Sequence, residues 1–144
     1  MSTIKFKIVT PERVVYEDEV DSVTLPTQMG EITVLPNHLP LVAVLKAGEL
    51  TARKGKEEIP MAVSGGLIEV NKNEVIVLAD TAEHAYEINE QWAEEAKERA
   101  SKLMQEKHKE EVDYTALTAT IEKELARLKV ARRHKSRLSF QANQ

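Results

Sequence analysis

The chain has 144 residues, of which 24 are Asp or Glu and 20 are Lys or Arg, for a formal charge of −4. This length allows one ordinary domain, or a compact domain with an appendage, whose core needs no staples. The acidic balance excludes a global positive field that would draw the chain to nucleic acid. With no cysteine, disulfides, CxxC redox chemistry and thiolate metal sites are excluded, and a reducing compartment is compatible. The start MSTIKFKIV lacks a basic segment followed by an apolar core. No apolar run approaches the roughly 20 residues that span a bilayer, so a soluble protein, free or peripheral, is expected.

From Ile4 to about Asp80 period two dominates, beginning with Ile4, Phe6 and Ile8 on one face and Lys5 and Lys7 on the other. Thr10-Pro11-Glu12 reads as a turn, followed by strands at Val14 to Tyr16 and Val20 to Leu25. Pro26, with no backbone donor for a ladder, is expected to end the second of these. Gly30 supplies the positive φ of a tight reversal, Ile32 and Val34 restart the alternation, and Pro36-Asn37 stops it. Pro36 and Pro40 thus frame a stiff loop around His38, which local residue physics reads as ordinary turn structure.

Leu41 to Leu45 is wholly apolar and suits a buried strand that Gly48 bends or ends. Lys54-Gly55-Lys56 and Asn71-Lys72-Asn73 each separate two short strands, which predicts two hairpins and, with the rest, a β-sandwich. Ser64-Gly65-Gly66 lies between strands rather than opening a helix. It reads as a bulge or tight bend, not a phosphate-cradling loop.

After Asp80 glycine and proline vanish and helix formers take over. Asn89 is a candidate N-cap, and Trp92, Ala96, Ala100 and Leu103 recur along one helical face. A second stripe runs through Tyr114, Leu117, Ile121, Leu125 and Leu128, with Asp113 as candidate N-cap after a charged connector at 109–111. The expected fold is α+β: an N-terminal antiparallel β-sandwich over 1–85, then a C-terminal antiparallel two-helix hairpin over 86–144. Alanines permit close approach of the helices, but narrow stripes imply modest burial and a hairpin that is the less stable half.

His38, His84, His108 and His134 form no HExxH or HxH spacing, so no metal site is expected. Ser64 lacks a GxSxG elbow, and Glu94, Glu95 and Glu98 read as a solvated helix face, with Glu95 spaced to pair with Arg99. Arg127, Lys129, Arg132, Arg133, Lys135 and Arg137 crowd one acid-free stretch. Such a cluster suits a helix C-terminus, an acidic protein surface, a nucleotide phosphate or a lipid headgroup.

The combination of Val23-Thr24-Leu25-Pro26, Gly30-Glu31, Val34-Leu35-Pro36-Asn37-His38, Pro40, Ser64-Gly65-Gly66-Leu67-Ile68-Glu69-Val70 and Val77-Leu78-Ala79-Asp80 resembles the epsilon subunits of bacterial and chloroplast F-type ATP synthases. Order, spacing and a two-helix tail extend the resemblance over almost the whole chain. It implies a central-stalk rotor subunit that couples proton or sodium-ion flow to ATP synthesis and is not itself an enzyme. Its sandwich would grip the gamma subunit and the c ring, with Gly30, Glu31 and His38 together at the contacting end. Its helices, extended along gamma, would reach alpha and beta and inhibit ATP hydrolysis, with Arg127, Arg132, Arg133, Lys135 and Arg137 against acidic residues of beta.

The implied location is the cytoplasmic face of the bacterial cell membrane, or the thylakoid membrane for a chloroplast protein, held only through the Fo sector. No cofactor and no nucleic acid are implied. Some members bind ATP through an I/L-D-x-x-R-A motif, where this chain has Ile88-Asn89-Glu90-Gln91-Trp92-Ala93 and so lacks the aspartate and the arginine. Glu83, Arg99 and Arg127 match other nucleotide contacts, and Lys123 stands where a further arginine is expected, so the resemblance implies at most a degenerate ATP site. The alternative is a non-enzymatic sandwich-and-hairpin adaptor that binds protein or nucleic acid through its basic C-terminus.

Overall fold

Gly65 and Gly66 turn one long strand through a corner, and the architecture follows from that corner. A computed structural model describes residues 2–106 and 114–142. Its strands are β1 (Ile4–Val9), β2 (Val14–Val20), β3 (Ser22–Thr27), β4 (Gly30–Val34), β5 (His38–Leu45), β6 (Gly48–Lys54), β7 (Glu57–Lys72) and β8 (Glu74–His84). A 3-10 turn (Ala85–Glu87) leads to helices α1 (Glu90–Glu106) and α2 (Tyr114–Ala142).

The first part of β7 pairs with β6 and the part after Gly66 pairs with β5, while β8 follows it along both. The strand thus leaves one layer and enters the other at Gly65 and Gly66, whose φ values of 60° and 135° favour glycine. A Cβ on Gly66 would run into the Leu78 carbonyl. One layer runs β2-β1-β8-β7-β5 and the other β4-β3-β6-β7, with a single pairing of Thr27 with Leu45 joining β3 to β5. All pairings are antiparallel except that of β1 with β8, which is parallel.

Alternation fills the space between the layers with Ile4, Phe6, Ile8, Val23, Leu25, Leu50, Met61, Ile68, Val75 and Val77, all essentially inaccessible. Each such side chain is worth about 1.5–3 kcal/mol relative to an exposed one. The two predicted hairpins form around Gly55 (φ 62°) and Lys72 (φ 46°), and Gly30 (φ 115°) closes the reversal from β3 to β4.

Four expectations are corrected. Pro26 lies inside β3, paired with Glu31 of β4. On the other side of β3, pairing with β6 stops at Thr24 and resumes only at Thr27 with Leu45, so the missing donor falls in a gap. His38 is not in a loop but opens β5 opposite Lys72, and Pro40 sits at a register shift between His38 and Leu41. Gly48 opens β6. The apolar run at 41–45 is largely exposed, with Val42 at 70% and only Leu45 buried.

In α1 the Trp92 amide donates to Asn89 Oδ1 (3.0 Å), the expected N-cap. The buried face is Ala93 and Ala100, whereas Trp92 is 67% exposed. Alanines set the phase because a small side chain lets α2 approach and indole does not. In α2, Glu124, Ala126, Leu128, Val130 and Ala131 are buried and Leu125 is exposed. This helix has two faces to cover, since it packs on α1 and also on β6, β7 and the 3-10 turn, where Val130 clusters with Ala62 of β7 and Ala85 of the turn. A single-stripe reading cannot locate both. His108, Asp113 and the connector at 109–111 lie outside the described residues.

Candidate functional site

Four residues per step put Lys129, Arg133 and Arg137 on one face of α2, and the fold turns that face toward β6 and β7. Arg133 Nη1 reaches Glu49 Oε2 at 2.8 Å, and Arg137 Nη1 reaches Glu58 Oε2 at 2.6 Å. Glu58 also accepts from Arg53 (2.6 Å), so one carboxylate joins strand and helix, and the two guanidiniums hold its pKa below 4.5. These residues, with Thr24, Thr51 and Lys46, line a cleft of about 430 Å³ between sandwich and helix.

The neighbouring faces of α2 are paired as well. Arg132 Nε lies 2.9 Å from Glu90 Oε1 and its Nη2 3.8 Å from Glu94 Oε2. Arg127 donates to Glu83 Oε2 (2.9 Å) and to Glu124 Oε2 (2.8 Å). Burial pushes the Arg127 pKa down, but these two carboxylates outweigh it and raise it. With its side chain 17% exposed, Arg127 is an internal bridge in this conformation. Lys135 is exposed. Four of the five arginine and lysine residues expected to face an acidic partner thus already face acids of their own chain.

At the junction of sandwich and helices, the Arg13 guanidinium meets the Glu87 carboxylate at 3.1 and 3.2 Å, and the His84 amide donates to the same carboxylate (3.0 Å). Burial pushes Glu87 up, and these donors outweigh it to lower its pKa. His84 Nε2 lies 3.2 Å from the Val15 carbonyl, and its ring stacks on Tyr86 at 5.1 Å.

Gly30 and Glu31 sit in the β3–β4 reversal, next to the Leu45 end of β5, and His38 opens the other end of β5. Roughly 23 Å of extended strand separates them, so they do not share one end of the sandwich as the resemblance implied. Between them lies a surface that the motifs did not reveal. Register aligns Val14, Val9, Leu78, Leu67 and Val44 in one row across β2, β1, β8, β7 and β5. Four of these are between 44% and 52% exposed, and Val42 stands beside the row at 70%. A contiguous exposed apolar strip of this kind is a candidate interaction surface. The sequence signal was the apolar run at 41–45 itself, which reads equally as core.

Of the positions matching nucleotide contacts, Asn89 is occupied as a helix cap and Glu83 with Arg127 as an ion pair. Lys123 and Glu83 line a cleft of about 270 Å³ with Glu12, Arg13 and Asp80, where acids outnumber bases. Arg99 lies exposed on α1, beyond the cleft lining. Among the described residues no group of three His, Cys, Asp or Glu could hold a metal ion, and no helix is long and apolar enough to cross a membrane.

Comparison with known proteins gives the same outline. Residues 3–85 match the family model for the ATP synthase delta/epsilon chain β-sandwich domain, and residues 87–132 match that for its long α-helix domain. The ATP synthase epsilon chain of Dehalococcoides mccartyi is 44% identical over 135 residues, covering 94% of this chain and 96% of that one. That of Moorella thermoacetica is 42% identical, covering 91% of this chain and 98% of that one.

Among solved structures, a chain of the Euglena gracilis mitochondrial ATP synthase (OSCP/F1/c-ring in rotational state 1) superposes with a TM-score of 0.67. It is 21% identical and is aligned over 96% of this chain and 82% of its own. A chain of the Tetrahymena thermophila mitochondrial ATP synthase central stalk and c-ring has a TM-score of 0.54 at 11% identity, covering 91% and 95%. At those identities the likeness speaks for the fold. With both family models and relatives above 40% identity spanning it, the chain belongs to the ATP synthase delta/epsilon chain family.

Proposed function

We propose that the chain is a non-catalytic rotor subunit of the central stalk, coupling proton or sodium-ion flow through Fo to ATP synthesis. The observation that carries this reading is the exposed apolar row from Val14 to Val44, on a chain that matches epsilon chains over nearly its full length. Five strands present it as one stiff surface, suited to passing torque between the c ring and gamma. Glu31 and the exposed Met29 beside it form a separate tip for the c ring, and His38 extends the gamma face at the other end of β5. Its place is then peripheral, on the cytoplasmic face of a bacterial membrane. The division at residue 85 separates the part that transmits torque from the part that regulates.

The second half of the reading is inhibition of ATP hydrolysis by α2, through Arg127, Arg132, Arg133, Lys135 and Arg137 against acidic residues of beta. It requires α2 to leave the sandwich, because four of those side chains are engaged here. ATP binding is not favoured: the cleft at Glu83 and Lys123 is net acidic, and Asn89 and Trp92 replace the motif's aspartate and arginine.

The test is reconstitution with gamma. Leu67→Glu and Leu78→Glu are expected to fold normally, both positions being half exposed, and to lose association with gamma. Undiminished binding by the double variant overturns the proposed face. For inhibition, Arg132→Gln with Arg133→Gln should raise hydrolysis by the assembled complex, and equal activity with the subunit bound contradicts it.

A further inference from the structure

We infer that α2 is held against the sandwich by an internal electrostatic latch that needs no nucleotide, with Glu49 and Glu58 as its acceptors on the strands. The inference deepens the proposed regulatory role and rests on that reading for its physiological meaning. Its physical content concerns this chain alone.

Three observations converge. First, the cations on the sandwich side of α2 meet carboxylates from distant parts of the chain: Arg133 with Glu49, 84 residues earlier, Arg137 with Glu58, and Arg127 with Glu83. Pairing over such separations exists only while helix and sandwich are docked, so it reports and favours that state. Second, the acceptors are not ordinary surface acids. The Glu49 side chain is 9% exposed, and Glu58 is shared between Arg53 of β6 and Arg137 of α2. Release of α2 rehydrates these carboxylates but forfeits the cation contacts of the docked state, so an acidic partner that takes over the arginines favours release.

Third, Arg127 is already neutralised from both sides, by Glu83 and by the buried Glu124. An incoming phosphate would have to displace a carboxylate there rather than fill an empty place. The apolar contact under the latch is small, chiefly Val130 with Ala62 and Ala85, so the charges shift the balance between docked and released helix. The same cations cannot serve an acidic partner while they are latched. Docked and partner-bound states are therefore exclusive, and the exchange is one set of carboxylates for another.

The absence of cysteine allows two introduced cysteines, at the exposed Lys56 and Ser136, to carry a fluorescent pair on the full chain. The latch predicts high transfer efficiency at low salt, a fall with rising NaCl, and no change with MgATP. Glu49→Gln with Glu58→Gln should lower the docked-to-undocked ratio about fivefold, the modest worth of two ion pairs whose arginines remain 51% and 41% exposed. Glu49→Arg with Arg133→Glu should restore it, which a role in folding alone would not. Docking indifferent to salt and to the Gln variants overturns the latch, and strengthening by MgATP overturns its independence of nucleotide. Loss of gamma binding by the labelled wild-type chain would count against the rotor reading and leave these outcomes readable.

Discussion

The sandwich and the helical hairpin are built on opposite economies of interaction. The sandwich buries large side chains such as Phe6, Ile8, Leu25 and Ile68 between two layers that share one bent strand. The hairpin buries mainly alanines, with Leu128 and Val130, and gathers arginine–glutamate pairs around them. Apolar burial is indifferent to salt at moderate concentration, whereas charge pairs are screened over a Debye length of about 8 Å at physiological ionic strength. On the proposed reading, the part that passes torque and the part that must let go thus differ in what holds them.

Substitutions sharpen this contrast, and the largest effects belong to the sandwich. Gly66→Ala places a Cβ against the Leu78 carbonyl at a φ of 135°, and should cost about 4 kcal/mol in urea unfolding. Phe6→Ala, at a side chain 1% exposed, should cost about 3–4 kcal/mol and lower the melting of the whole sandwich. Arg127→Ala leaves the buried Glu124 without its cation. It should weaken hairpin docking by about 3 kcal/mol while β-sheet melting stays in place. Simultaneous loss of both halves in that variant would break the comparison.

Acid gives a smaller effect of known sign. The Glu58 pKa is lowered in the folded chain, from 4.5, chiefly by Arg53 and with help from Arg137. Arg53 stays beside Glu58 when α2 leaves, so only the Arg137 part of the lowering is linked to docking. It favours the docked state while the carboxylate is ionised and is lost as pH falls through the depressed value. Docking of α2, followed by fluorescence transfer, should weaken below that value and do so less in Glu58→Gln. Smallest of all, Trp92→Ala should change stability by less than about 0.5 kcal/mol, because the indole is 67% exposed. A cost above 2 kcal/mol would restore Trp92 to the packed face.

Much of the fold is readable from residues one or two apart, and the candidate site is not. The Gly55 turn, the glycine corner at 65–66 and the Asn89 cap are local events whose φ or hydrogen bond is dictated by residue type. Pro26 misled because a strand between two partners can tolerate a missing donor where one partner has a gap. The 41–45 run is ambiguous because an apolar sequence reads the same whether its side chains face the core or the surface, and here only Leu45 is buried. Trp92 and Leu125 lie off the contact face because close helix packing selects alanine rather than the most hydrophobic side chain. The acceptors Glu49 and Glu58 carry no local signal at all. Their partners are supplied by α2 only after the chain has folded back on itself.

Hydrogen exchange on the full chain, read by element at about 0.05 M and about 1 M NaCl, tests the central claim most directly. The account predicts that amides of α1 and α2 lose protection at high salt while those of β7 and β8 keep theirs. Equal protection of the helices at both concentrations, or parallel loss in helices and strands, would contradict it.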